Sequence, residues 1–236
     1  MLDYSLLCAL LLLLMFAALL LARWLGARQE QAVVNLYRLS ALEKRQASIE
    51  GVIDALRDMG ADRSVLDILY EALLRDLGRI RELDPRREDL DDLIREAEAG
   101  RNRKSKAPPP DQAAVNTEEE LHSVRRHMQK AMQLLALLNQ HGGLGTRKYG
   151  EARARLQSLA INIGVNSYML MAEKALEKRN TMRAFSMYRK AESLLEFARL
   201  RDEDKKQRLE LIKAEKQRLM EQYEDEKGLL LLASAD

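Results

Sequence analysis

The chain has almost no cysteine. Its single Cys, Cys8, lies inside an apolar run, so no disulfide framework can staple the fold. Four prolines, three of them consecutive at 108–110, leave little punctuation for a β architecture. Aromatic residues are 5% of the chain, too few and too scattered for a base-stacking platform. Only three histidines occur. His122 and His127 are five positions apart, roughly 140° around a helix, and cannot share a metal on one face. His141 stands alone in a glycine loop. That loop, Gly142-Gly143-Leu144-Gly145, lacks the preceding strand and the Lys-Ser/Thr ending of a phosphate loop. No Gly-x-Ser-x-Gly elbow occurs. No catalytic residue, cofactor site or metal site is expected, and the chain does not read as an enzyme.

What is present begins with grease. Leu6 to Ala22 is an uncharged run of 17 residues, ten of them Leu. As a helix it covers roughly 25 Å, and Tyr4 to Trp24 reaches about 30 Å, the thickness of a bilayer's hydrocarbon core. Tyr4 and Trp24 stand at the two ends, where amphipathic rings favour the interface. The expected anchor is marked by Tyr4, Leu6, Leu14, Phe16, Leu21 and Trp24. A cleaved export signal would start with a positive segment, whereas this chain starts Met1-Leu2-Asp3-Tyr4. Arg23, Arg28, Arg38, Lys44 and Arg45 follow the run, and no Lys or Arg precedes it. Cations resist translocation, so the long C-terminal part is expected in the cytoplasm, with the N-terminus out, on an inner or plasma membrane.

The remaining residues are rich in Leu, Ala, Glu, Lys and Arg, which favours an all-α fold. Charge is uneven. Residues 26–100 carry 12 Lys and Arg against 17 Asp and Glu, a net of −5. Residues 101–117 carry 4 against 1, and residues 118–236 carry 22 against 18. No part is basic enough to make nucleic acid an expected partner.

Residues 27–59 read as one helix with a heptad seam of Leu42, Ile49 and Leu56, flanked by Val52 and Met59 and ended by Gly60. A second helix is expected after Ser64, on a stripe of Leu66, Leu69, Leu73, Leu77 and Ile80. Asp84-Pro85 reads as the N-cap and first residue of a third, ended by Gly100. Residues 101–117 form a basic, proline-rich linker that carries Arg101, Arg103, Lys104 and Lys106. Thr117-x-x-Glu120 is a capping box opening a helix that runs to about Gln140. The last stretch, from about Met182 to Lys227, reads as continuous, with Leu209, Ile212, Leu219 and Tyr223 as a seam that contains Lys216. Gly228 is expected to end it, before an apolar tail.

Between these, Ala152, Leu156 and Leu159 match Ala184, Tyr188 and Ala191 at a separation of 32 residues. With Tyr149, Tyr168 and Ala172, this pattern resembles the tetratricopeptide repeat (TPR), a helix–turn–helix unit of about 34 residues. The resemblance covers about residues 130–198. It departs from the family in a long loop at 141–145, in Leu159 where a small residue is usual, and in the lack of a closing proline. It implies a turn near Ile163-Gly164-Val165. Without that turn, residues 147–178 would be one helix in a long coiled-coil hairpin. It also implies a partner groove on the first helices, around Met132, Ala136, Tyr168 and Ala172.

The expected organisation is a transmembrane anchor (1–25), an acidic helical hairpin or bundle (26–100), the linker (101–117), a helical domain with two TPR-like pairs (118–201), and a charged helix with an apolar tail (202–236). The function expected from it is a membrane-anchored cytoplasmic scaffold that binds protein partners through helical grooves. A coiled-coil oligomer organising an envelope complex is the alternative, with residues 27–59 and 202–227 as seams for homo-oligomers. A third is a tether that holds nucleic acid through the basic linker.

Overall fold

The computed structural model describes residues 2–103, 112–196, 198 and 202–233. Within the helices, the side chains of residues 2–14, 17–20, 22, 25, 27, 32, 202, 204 and 223–233 fall outside the description. The protein is all-helical, with no strand among the described residues. In chain order the helices are α1 (Leu2–Asp58), α2 (Arg63–Leu83), α3 (Leu90–Asn102), α4 (Glu118–Gln140), α5 (Thr146–Glu177), α6 (Thr181–Glu196) and α7 (Asp202–Ala233).

Each break has a local cause. Gly60 adopts φ +72°, and Ala61 and Gly60 donate their N–H groups to the carbonyls of Leu56 and Arg57, a left-handed close that satisfies the last turn of α1. Gly142, at φ +69°, closes α4 in the same way through Leu138 and Asn139. The same motif ends α5, but there Arg179 takes the left-handed position at φ +54°. The start of α4 is the capping box that the sequence predicts, with Thr117 Oγ1 accepting from Glu120 N at 3.1 Å and Glu120 reaching back to Thr117 N.

Several boundaries differ from expectation. The N-cap of α2 is Asp62, whose carboxylate accepts from Ser64 N at 2.8 Å, so the helix begins at Arg63. Asp84 is not an N-cap but closes α2, donating its N–H to Ile80 O at 2.8 Å. The turn that follows is clamped by Arg87, which grips Asp89 through two nitrogens and Glu43 of α1 at 2.6 Å. The α3 helix runs past Gly100. A Cβ there would stand 2.7 Å from Tyr70 Oη, so the glycine admits the ring rather than ending the helix. The stretch from Met182 to Lys227 is two helices. Lys205 Nζ donates to the free carbonyls of Glu196 and Ala198 at the end of α6, where a cation is favoured by the helix dipole. The α7 helix also continues through Gly228 to Ala233.

The implied turn at 163–165 is absent: α5 is one helix of 32 residues. Gly164 is buried, and a Cβ there would lie 2.9 Å from Leu194 Cδ1. It serves close approach of α6, not chain reversal.

Successive helices pack on one another except α3 and α4, and α1 with α4 and α2 with α5 join the first three helices to the last four. The core is one cluster, from Ile49 and Leu56 on α1 through Leu69 and Leu77 on α2, Leu135 on α4 and Leu156 on α5, to Leu195 and Ile212. Each such leucine or isoleucine contributes about 1.5–3 kcal/mol on burial. Much of both seams is used inside the chain: Ile49, Val52 and Leu56 are buried in this core, as are Ile212 and Leu219, while Leu42, Met59 and Leu209 are half-buried and Tyr223 lies outside the described side chains. Lys216 is tolerated in the second seam because it pairs with Glu192 and lies 5.6 Å from the ring centre of Phe185.

Candidate functional site

The backbone of the leading apolar run is the first part of α1, continuous with the segment that enters the core. Of the expected anchor residues, Phe16, Leu21 and Trp24 are 64%, 58% and 52% exposed, and the side chains of Tyr4, Leu6 and Leu14 lie outside the described residues. Arg28 stacks over Trp24, 4.1 Å from the ring centre. Apolar exposure continues past the run through Val33, Val34, Leu36 and Tyr37. Among the described residues, no helix is long and apolar enough to cross a membrane.

The residues expected to line a groove differ in exposure. Tyr168 and Ala172 are buried, while Met132 and Ala136 are half-buried. Arg125 of α4 donates to Tyr168 Oη at 3.1 Å, and Lys190 of α6 lies 5.5 Å from the same ring centre while pairing with Glu118 at 2.9 Å. The tyrosine therefore closes the seam between α4, α5 and α6.

Of the four cations expected in the basic linker, one is paired within the chain. Arg101 sits in the last turn of α3 and pairs with Glu71 of α2 at 3.0 Å and Asp67 at 3.5 Å. Arg103 is exposed, and Lys104 and Lys106 lie outside the described residues. Further on, the segment is docked. Val115 N donates to Ser167 Oγ at 2.9 Å, and that buried hydroxyl donates to Ile163 O at 2.6 Å. Asn166 Nδ2 donates to Ala113 O at 3.2 Å.

The most unusual electrostatics lie between α1, α2 and the α4–α5 loop. Asp76 is only 1% exposed, although it carries a charge. Its register explains this: it stands three after Leu73 and four before Ile80, on the apolar stripe of α2. Arg45 Nε lies 3.0 Å from Asp76 Oδ2, and Arg79 Nη1 lies 3.9 Å from Oδ1. The Arg45 contact is an ion pair without hydrogen-bond alignment, so both of its atoms lack an aligned partner. Burial pushes the Asp76 carboxyl above the ordinary aspartate value, against the pull of Arg45, Arg79 and Arg75. Arg75 reaches across to the loop and donates to Gly143 O at 3.4 Å. A Cβ on Gly143 would collide with that guanidinium.

These groups border an open cleft of about 410 Å³, lined by Arg45, Ala72, Arg75, Asp76, Arg79, Leu138, His141 and Gly143. Three guanidinium groups against one carboxylate leave the arginines and the aspartate of the lining at a net +2. Guanidinium forks suit carboxylate and phosphate oxygens. Sequence reasoning missed this cluster, although a charged residue on the α2 stripe with arginines beside it and one turn on was its visible signal. His127 has a local partner, its Nδ1 lying 2.9 Å from Ser123 O. Among the described residues, no group of three or more His, Cys, Asp or Glu side chains is placed to hold a metal.

Compared with known proteins, the chain matches no family model, no curated protein and no solved structure.

Proposed function

We propose that this chain is a single-pass, membrane-anchored scaffold whose helical bundle lies in the cytoplasm and holds protein partners near the bilayer. One observation carries the reading. The α1 helix runs unbroken from the apolar run to Asp58, and its last four turns are part of the bundle core. A helix of 57 residues is about 85 Å long, and the segment proposed to lie in the hydrocarbon core is Leu6 to Ala22, most of whose side chains lie outside the described residues. The exposed Phe16, Leu21 and Trp24, and the cations that follow them, support the anchor and its orientation. Holding partners at a surface raises their effective concentration without any new contact.

The alternative of a coiled-coil oligomer is less well supported, because Ile49, Leu56, Ile212 and Leu219 are already buried within one chain. Extraction of membranes with alkaline carbonate tests the anchor. The full chain is expected to stay in the pellet, and a form lacking residues 2–25 to move to the supernatant. Release of the full chain would sink the reading. A C-terminal tag digested only by protease added outside intact cells would reverse the orientation.

A further inference from the structure

We propose that the arginine cleft between α1, α2 and the α4–α5 loop binds a phosphate group of a soluble small molecule. The first reason is charge. The cleft concentrates three arginines in a part of the chain, residues 26–100, that is net −5. Arg75 and Arg79 are four apart on α2, so their like charges repel along one helix face unless an anion lies between them and solvent. Asp76 offsets only one of the three positive charges. The remaining +2 matches a phosphate dianion.

The second reason is construction. Asp76 is buried, and its carboxylate lies 3.0 Å from Arg45 Nε and 3.9 Å from Arg79 Nη1, so it draws both guanidinium groups to one side of the cleft. Arg75 donates to the Gly143 carbonyl of the α4–α5 loop at 3.4 Å. Donors held in place before binding lose less freedom when a ligand arrives. The cleft, at about 410 Å³, falls within the usual size range of small-molecule sites.

The third reason selects the source of the phosphate, and it rests on the anchoring proposed above. Arg45 lies 21 positions beyond Trp24 on an unbroken helix, about 31 Å along its axis. The headgroup layer adds only about 5–8 Å to each face of the hydrocarbon core, so a lipid phosphate does not reach the cleft.

The test is calorimetric titration of inorganic pyrophosphate into the full chain held in discs of zwitterionic lipid, at about 0.15 M salt. Saturable binding at one site is expected, with Kd below about 1 mM. Arg75→Gln and Arg79→Gln are each expected to weaken it about tenfold. Arg95→Gln on α3, outside the cleft, is expected to leave it unchanged. Thermal melts by circular dichroism identify any variant that fails to fold. Arg79 is exposed along more than half of its side chain, so Arg79→Gln is the variant that keeps the test decisive. Absence of saturation up to about 10 mM, or equal binding by all folded variants, overturns the proposal. Loss of pyrophosphate affinity in discs of acidic phospholipid would assign the cleft to a lipid headgroup and overturn the soluble source. Retention in the disc is read separately by size-exclusion chromatography, so a failure of anchoring is distinguished from a failure of binding.

Discussion

Arg155 of α5 reaches the N-cap of α2: its Nη1 lies 2.7 Å from Asp62 Oδ1 and 2.6 Å from Ser64 Oγ. The contact joins residues 93 apart in sequence and ties the early helices to the late ones at their surface. Burial opposes ionisation of Asp62, but hydrogen bonds from the Ser64 side chain and backbone, followed by the charge of Arg155, outweigh it and hold the carboxyl below the ordinary value. A depressed carboxyl adds stability above the unfolded value, and that stability is lost as pH falls through the folded one. Asp62→Asn is therefore expected to melt lower than the parent at neutral pH. The gap should close in acid, below about pH 4. A gap that persists at low pH would mean that the aspartate acts through packing rather than charge.

Asp76 carries the opposite sign. Its folded carboxyl is raised by burial, so its contribution is fully present below the unfolded value and is lost as pH rises through the folded one. Comparison of Asp76→Asn with the parent across an acid series is expected to show the variant gaining relative stability from about pH 4 upward. A flat difference would mean that Arg45 and Arg79 fully offset the burial.

Arg179 holds a left-handed backbone conformation that costs an ordinary residue about 1–2 kcal/mol. Arg179→Gly is expected to stabilise the protein by about 1 kcal/mol, read as a shift in the urea midpoint with the slope unchanged. The side chain is exposed and has little else to lose.

Three helical glycines separate propensity from packing. Nothing lies within 4 Å of a Cβ built on Gly51 or Gly78, so alanine at either is expected to add about 0.5–1 kcal/mol. Gly100→Ala is expected to destabilise despite the same propensity gain, because the rigid Tyr70 ring lies 3.2 Å away. Equal melting shifts for the three would remove Tyr70 from the explanation.

Ser167→Ala removes the acceptor for Val115 N. The end of the linker is then expected to open, at a cost of about 1–3 kcal/mol for the unpaired group. Hydrogen exchange at the Val115 amide is the direct readout, and an unchanged rate would mean that Asn166 and Ala113 hold the segment unaided.

Much of this arrangement is legible in the sequence where a signal is local and strong. The α2 stripe, the Thr117–Glu120 box and the Gly60 stop depend on spacings of three or four residues and on one glycine, and all three are found. Boundaries fail where two residues can do the same work. Asp62 and Ser64 are both good caps; Asp62 takes the role by accepting from Ser64 N, and Arg155 holds both side chains. Gly164 and Gly100 read as breaks because glycine often is one, whereas here each admits a neighbour across a helix interface. The gap between α6 and α7 has no glycine or proline to announce it. The arginine cleft assembles from positions 45, 72–79 and 138–143, and no local pattern reports which of those segments meet.

The unbroken length of α1 couples the leading apolar segment to the bundle as a rigid screw. One residue inserted between Arg28 and Arg38 would lift the bundle by only about 1.5 Å but swing it through about 100° around the helix axis. Any partner fixed in the same plane would then meet a different side of the molecule, so the number of residues in this stalk sets the compass bearing of every surface beyond it.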